Sequence, residues 1–367
     1  MRWDTVIIDA CKADNEEDIG IRKLTNALRM VDSNWLNENK LLLKACMNNN
    51  PKVAQILLTV EGIDVNQADE DGWTPLYCAC WKSNVELVRE LLRATNIQVN
   101  QATNDGTSPL FVACMLRHLS VVHLLLTSPD ILVNQANGQS LTPLLVASQK
   151  GFVGCVHLLL QAPGIQINQA TNEGATPLHM ACDYGHLNAV VALLARDGVQ
   201  INKVTTDGHT PLFIACMHGH SGVVRTLLGV DGVDVNQADN DGLTPLAAAC
   251  LEGYLGIVQL LLQVEGIQVN ELDTVEDITA LTAACMNDWL DIVHALLQHK
   301  EIDVNRALST GATALSVACQ HGHLRIVNAL LNFDPRDDAE SLRQRQPVDI
   351  NKGPGELTPL DVAISNE

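Results

Sequence analysis

Aromatic residues and long apolar runs are both scarce in this chain. Phe, Trp and Tyr make up 3% of its 367 residues, and no apolar stretch reaches the roughly 18 residues that a membrane-spanning helix needs. Lys and Arg total only 23 against 43 Asp and Glu, which gives a formal net charge of −20. Such a surface repels polyphosphates and anionic lipid headgroups, so we expect no nucleic-acid partner and no membrane association. The charge either favours a basic partner or only keeps a long chain soluble.

The motifs of the common enzyme classes are missing as well. The chain has no dinucleotide-binding Gly-x-Gly-x-x-Gly between a strand and a helix, no Gly-Lys-Ser/Thr phosphate loop and no His-Glu-x-x-His. Residues 239–242 resemble the start of a calcium-binding loop, but the Glu expected at the twelfth position is absent. Two His-x-His pairs, at 218 and 220 and at 321 and 323, are explained better by repeat geometry than by a metal site. We therefore predict no enzyme activity, no catalytic residue, no cofactor and no metal ligand.

An asparagine instead recurs at a fixed interval through most of the chain. The interval is 34 residues six times and then 35, across Asn66, Asn100, Asn134, Asn168, Asn202, Asn236, Asn270 and Asn305. A period of about 20 to 50 residues is typical of solenoids and propellers. Units of this size bury their apolar faces only against their neighbours, so the pattern predicts a stacked array without one central core.

The unit that begins at Asn236 shows what each copy should form. Its Asp-Gly pair at 241–242 favours a tight turn. Thr244 can cap a helix whose first residue is Pro245, because proline fits the first helical position. A break at Gly253 separates this helix from a second, at 255–263. Each unit is thus predicted to be a short β-hairpin finger followed by a helix-turn-helix.

Cysteine occupies one column of the repeat, at Cys46, Cys80, Cys114, Cys182, Cys216, Cys250, Cys285 and Cys319. Stacked helices lie roughly 10 Å apart, which exceeds the ~7 Å between Cα atoms that a disulfide allows. We therefore expect buried free thiols. Free thiols in this number indicate a reducing compartment, the cytoplasm or the nucleus.

The residues of one copy, Gly174-Ala-Thr-Pro-Leu-His-Met-Ala181 followed by Gly185-His186, resemble the ankyrin repeat. The resemblance covers residues 39–334. It implies an all-α fold with short β-hairpin fingers, an ankyrin-repeat solenoid of about ten stacked helix-turn-helix units. Some units depart from the signature, for example with Ser83-Asn84 in place of Gly-His, and these changes should alter loops and not the stack.

Three segments are expected. Residues 1–38 should form an N-terminal arm, either irregular or a strand, and a capping helix at 21–31. Residues 39–334 should form the solenoid. Residues 335–367 should form an insertion loop plus a partial C-terminal repeat, which is either a cap or a sign that the sequence is a fragment.

The resemblance also implies where a partner binds, since ankyrin partners usually lie across the finger tips and the concave face of the first helices. The repeat position directly after the column cysteine, for example Trp81 after Cys80, is mostly apolar, although an exposed position would favour polar residues. The predicted partner-binding residues are Trp73, Tyr77, Trp81, Met115, Tyr184, Met217, Leu251 and Met286, with the acidic finger residues Asp71, Asp105 and Asp241. The alternative is that the apolar side chains are half buried and only complete the packing.

The resulting functional prediction is a non-catalytic, monomeric scaffold or adaptor that holds a basic amphipathic protein segment. Apolar anchors would supply affinity and acidic fingers orientation. A contrasting prediction is the targeting or regulatory portion of a larger enzyme, channel or effector, and a third is a purely mechanical spacer without a specific ligand.

Overall fold

The computed structural model describes residues 3–12, 25–275, 277–333, 346–355 and 357–361. The chain is made of two compact units. One consists of Met1–Asn172 with Ala192–Val199, and the other of Glu173–Val191 with Gln200–Glu367. Short helices follow one another in pairs in both units, which confirms the predicted helical repeat.

Nine helix pairs lie in the described part of the chain. The first helices are Leu41–Met47, Pro75–Trp81, Pro109–Met115, Pro143–Gln149, Pro177–Asp183, Pro211–Met217, Pro245–Leu251, Ala280–Met286 and Ala314–Gln320. The second helices are Pro51–Leu58, Val85–Arg93, Leu119–Leu125, Val153–Leu160, Leu187–Leu194, Ser221–Leu228, Leu255–Leu261, Leu290–Gln298 and Leu324–Leu331. The total of about ten units stays a prediction.

The first helix of each repeat begins at a side-chain cap. Thr244 accepts a hydrogen bond through its hydroxyl from the N–H three residues on, at 3.2 Å, and Pro245 is the first helical residue. Proline fits because its missing N–H would have no partner inside the helix. The helix that starts at Ala280 lacks this proline, and there the Thr282 hydroxyl accepts from the N–H of Thr279 to complete a capping box.

Burial follows the columns of the repeat. Ala79 and Cys80 of a first helix and Val88 and Leu91 of the adjoining second helix are all fully buried. Within each compact unit, first helices pack against the first helices of neighbouring repeats, where a small alanine lets the backbones approach. All eleven cysteines are free thiols, and ten of them are buried. Seven of the eight in the repeat column are buried as predicted, whereas Cys319 is half buried.

The recurring asparagine joins consecutive repeats. Nδ2 of Asn100 donates to the carbonyl of Asp130 at 2.6 Å, and its Oδ1 accepts from the N–H of Leu132 at 2.8 Å. The same pair of bonds is made by Asn66, Asn134, Asn202, Asn236, Asn270 and Asn305. Only a side chain that both donates and accepts can make it, which explains the strict column.

The predicted β-hairpins of the fingers are not confirmed, because no strand occurs in the ranges that the structure describes. In the finger at 69–73, the N–H of Asp69 donates to the carbonyl of Trp73 at 3.1 Å, and the N–H of Gly72 donates back to Asp69 at 3.2 Å. The next finger is joined to it by one backbone bond, from Asn104 to Asp71 at 2.9 Å. These contacts make turns, and a strand ladder would need a longer series of cross-chain bonds.

The N-terminal segment differs from its prediction. Trp3–Lys12 is a helix and not an irregular arm or a strand. Ile7 and Cys11 are both fully buried, because a spacing of four residues places them on one helix face against Leu41–Met47. The predicted capping helix at 21–31 is helical at 25–28, and residues 13–24 lie outside the described ranges.

The C-terminal predictions fall partly outside the described residues, which omit 335–345 of the insertion and residues 356 and 362–367 after it. After the insertion, Asn305 still makes its pair of bonds, now to the carbonyl of Pro347 at 2.8 Å and from the N–H of Asp349 at 2.7 Å. Residues 359–361 are helical, at the position predicted for another first helix.

Candidate functional site

The first compact unit contains a groove with a cavity volume of about 600 Å³ between its fingers and its first helices. We call it the aromatic groove. Its walls come from Pro75–Trp81, Pro109–Met115 and Pro143–Gln149 and from the fingers that precede them. Six of the predicted partner-binding residues line it: Asp71, Trp73, Tyr77, Trp81, Asp105 and Met115.

Three aromatic rings in the lining of this groove form a cluster. The ring centroids of Trp73 and Tyr77 are 5.1 Å apart, those of Trp73 and Trp81 are 5.3 Å apart, and those of Tyr77 and Trp81 are 6.2 Å apart. Tyr77 and Trp81 are four residues apart and therefore share one helix face. Trp73 reaches them from the finger, immediately before the capping residue. Tyr77 is buried, whereas both tryptophans are half buried and keep surface in the groove.

A carboxylate of the next finger stands beside the cluster. The Thr103 hydroxyl and the N–H of Thr107, at 3.0 Å, donate to Oδ1 of Asp105. The hydrogen bond from Thr103 is the main cause that lowers the pKa of Asp105. Burial, and secondly the charge of Asp105, raise the pKa of Tyr77 to about 12. At neutral pH the groove therefore presents an ionised Asp105 next to a neutral Tyr77.

Several other lining residues of the groove were not part of the predicted site. Among them are Phe111, Leu141, Val146, Gln149 and Lys150. Phe111 follows Tyr77 by one period, so the repeat alignment held a signal for it. The exposed Lys150 adds a positive charge to the groove that Asp71 and Asp105 also line.

Met217 lies in a separate groove, of about 210 Å³, in the second compact unit. That groove is also lined by Met180, Asp183, His209 and His218. Nδ1 of His218 lies 2.8 Å from Oδ1 of Asp183. Met217 and Trp81 therefore line two different grooves, one in each compact unit.

The remaining predicted residues line neither groove. Tyr184 is 51% exposed, and its ring stacks with that of His186 at 6.2 Å. Leu251 and Met286 are half buried at the ends of their helices. Asp241 is exposed, and its carbonyl accepts hydrogen bonds from the N–H of Thr274 at 2.8 Å and from its hydroxyl at 2.7 Å.

Two further features of the described residues bear on the chemistry. Within the described ranges, no group of three or more His, Cys, Asp or Glu side chains is placed to hold a metal ion. No described helix combines the length and the apolar character that crossing a bilayer would require.

Comparison with known proteins identifies the repeat. The family model described as "Ankyrin repeats (3 copies)" matches residues 7–103, 42–137, 129–205, 192–273 and 265–341. Among curated protein sequences, none matches the chain significantly.

Solved structures give the same result. The ankyrin repeat domain of Bcl-3, described as a unique member of the IkappaB protein family, is 28% identical, with a TM-score of 0.55 over 62% of this chain and 99% of that one. The ankyrin repeat protein EF0377 is 26% identical, with a TM-score of 0.50 over 54% of this chain and 100% of that one.

Proposed function

Because the chain belongs to the ankyrin-repeat family, we propose that it is a non-catalytic protein-interaction module whose aromatic groove binds a basic, amphipathic segment of a partner protein. Ankyrin repeats are in general protein–protein interaction modules, and arrays of this fold bind unrelated targets. The observation that carries the proposal is the aromatic groove itself, since it combines half-buried tryptophans with carboxylates at its edge.

The chemistry of the groove favours a segment with apolar and positive residues. Trp73, Trp81 and Met115 are half buried, so a partner can cover surface that the fold leaves accessible. Tryptophan is enriched among residues that dominate binding energy, and methionine adapts its shape to different partners. Asp71 and Asp105 would orient a basic segment and suppress acidic ones. The net charge of −20 acts in the same direction at longer range.

We also propose that the module works as a monomer in a reducing compartment, the cytoplasm or the nucleus. Eleven free cysteines support the compartment, because thiols in this number stay free where the cell keeps them reduced.

The test is a selection of peptides from a displayed random library, with the whole chain as bait. Selected peptides are then measured against wild type, Trp81→Ala and Met115→Glu, each of which must keep the helical circular dichroism of wild type. Tyr184→Ala is the matched control, because Tyr184 is an exposed aromatic residue outside the groove.

We expect peptides that combine basic and apolar residues, and an affinity loss of about 30-fold for Trp81→Ala, as for a binding hot spot. Tyr184→Ala should bind as wild type does. Peptides that bind Trp81→Ala, Met115→Glu and wild type equally would show that the groove is not the binding site.

A further inference from the structure

The aromatic cluster is too compact to enclose a cation. The three ring centroids are 5.1, 5.3 and 6.2 Å apart, so the point equidistant from them lies about 3 Å from each. This distance is less than the ~3.5 Å at which carbon atoms make contact. An ammonium or methylated ammonium group at the centre would therefore overlap the rings. The rings pack against one another and offer a ligand only their outer surface.

That outer surface suits a flat cation. Trp73 and Trp81 are half buried and line the groove, so part of each indole stays accessible there, and their ring planes are tilted by 34°, the smallest angle in the cluster. A guanidinium group is planar, weakly hydrated and able to stack on an aromatic face while it donates hydrogen bonds from its edge. A lysine ammonium is a strongly hydrated point charge and loses more hydration on an apolar ring.

The groove also has an oriented hydrogen-bond acceptor for the edge of a guanidinium group. The Thr103 hydroxyl and the Thr107 N–H hold the carboxylate of Asp105 beside Tyr77, on the wall of the same groove. Asp71 lines the groove from the finger that carries Trp73. Lys150 is the one cation among the lining residues that the structure describes, and it comes from another repeat, at the end of Pro143–Gln149.

We infer that the aromatic groove takes an arginine side chain of the partner segment, whose guanidinium stacks on Trp73 and Trp81 and donates to Asp105. This inference rests on the proposed function, because it names the side chain that the groove recognises in the bound segment. It predicts arginine at one fixed position of the segment and discrimination against lysine there.

The experiment uses the strongest peptide whose binding to the whole chain depends on Trp81. The selected peptide is compared with variants in which each arginine in turn is replaced by lysine or by citrulline. Citrulline keeps the planar shape of the arginine side chain and loses its charge. Each is measured against wild type and against Asp105→Asn, whose side-chain oxygen can still accept from Thr103 and Thr107. Asp241→Asn is the matched control, because Asp241 has the same finger position and lines neither groove.

At one arginine, we expect replacement by lysine or citrulline to weaken binding to wild type by about tenfold. The selected peptide should bind Asp105→Asn more weakly than it binds wild type. Replacing its arginine by citrulline should then reduce the affinity less, because the carboxylate that pairs with the guanidinium is already missing. Trp81→Leu, which keeps apolar bulk, should abolish the preference for arginine over lysine. Asp241→Asn should behave as wild type.

The two proposals fail in different ways. Groove-dependent peptides without arginine, or with equal affinity after replacement by lysine, would refute the arginine subsite and leave the interaction module standing. Selected peptides that bind independently of Trp81 and Met115 would refute both.

Discussion

Lowering the pH from 7 to about 4 should destabilise the repeat that contains Pro177–Asp183, because His179 has to stay neutral in the folded chain. Its ring is buried, and the N–H of Thr176 donates to Nδ1 at 3.1 Å. Nε2 lies 3.1 Å from the carbonyl of His209 and must therefore carry the proton. A second proton on Nδ1 would face the Thr176 N–H and break that bond. Burial, the largest cause, lowers the pKa of His179 to about 4 from 6.5.

The sign and the size of the effect follow from this difference. Between pH 6.5 and about 4, the unfolded chain binds a proton at His179 that the folded chain does not bind. Stability from this residue is therefore complete above pH 6.5 and falls as the pH falls towards 4. The pKa difference of about 2.5 corresponds to about 3 kcal/mol of unfolding free energy.

The assay compares wild type with His179→Thr by urea unfolding at several pH values between 7 and 4.5. Threonine is the residue at the same repeat position in Ala280–Met286, where it completes the cap without titrating. The titration of other groups cancels in the difference between the two proteins. The free energy of unfolding of wild type should fall relative to that of the variant as the pH falls. A difference that stays constant over this range, or an NMR titration midpoint near 6.5 for the His179 ring, would refute the reasoning.

Three further predictions concern the interior and the joints of the array. Asn100→Ala removes the bonds to Asp130 and from Leu132 and should lower the free energy of unfolding by about 1 to 2 kcal/mol, whereas Gln98→Ala in the same loop is expected to change it little. Ser148 stands in the cysteine column, and its buried hydroxyl has no hydrogen-bond partner in the described structure; Ser148→Cys should raise the free energy of unfolding by about 1 kcal/mol, and a loss of stability would contradict this. A thiol reagent applied to the native protein at pH 8 should modify Cys319 first, because the other cysteines are buried and burial raises, for example, the pKa of Cys78 to about 12; rapid modification of several thiols without denaturant would oppose it.

The helical parts of the repeat were predictable because local signals and periodicity agree there. Pro245 begins a helix that ends at Leu251. Gly253, in the break between the two helices, has a φ of +81°, and Gly242, in the finger, has a φ of +88°. Such positive φ angles are available to glycine without strain. The second helix was predicted two residues too long at its C-terminal end, which is the usual uncertainty of a helix boundary.

The misses lie where a short segment depends on contacts elsewhere in the chain. Val6-Ile7-Ile8 reads as a strand in isolation, but Ile7 and Cys11 become one buried helix face only once Leu41–Met47 is beside them. The Asp-Gly pairs predicted the tight turns correctly, yet a turn does not require a strand on either side.

The repeat column located the candidate site only in part. It placed Trp81 and Met115 at the ends of the first helices, where both are half buried, and their role in binding stays a prediction. It could not show that Tyr77 and Trp73 would pack onto Trp81, that Lys150 would share the groove, or that Met217 would belong to another groove. Those facts depend on side-chain directions in neighbouring repeats, which a column does not contain.

Under the proposed function, fold and recognition use different positions of the repeat. The capping threonine, the buried alanine and the bridging asparagine recur with little change, and they make the bonds and contacts that stack the helices. The residue types at the three groove positions change from repeat to repeat. Trp73, Tyr77 and Trp81 in one repeat correspond to Thr107, Phe111 and Met115 in the next, and no other repeat has three aromatic residues at these positions. A change at these positions can therefore alter what the groove binds without removing a cap or an asparagine bridge. Because the chain has few aromatic residues and three of them meet in the repeat at 73–81, this repeat is where we expect substitutions to alter binding while the stack is kept.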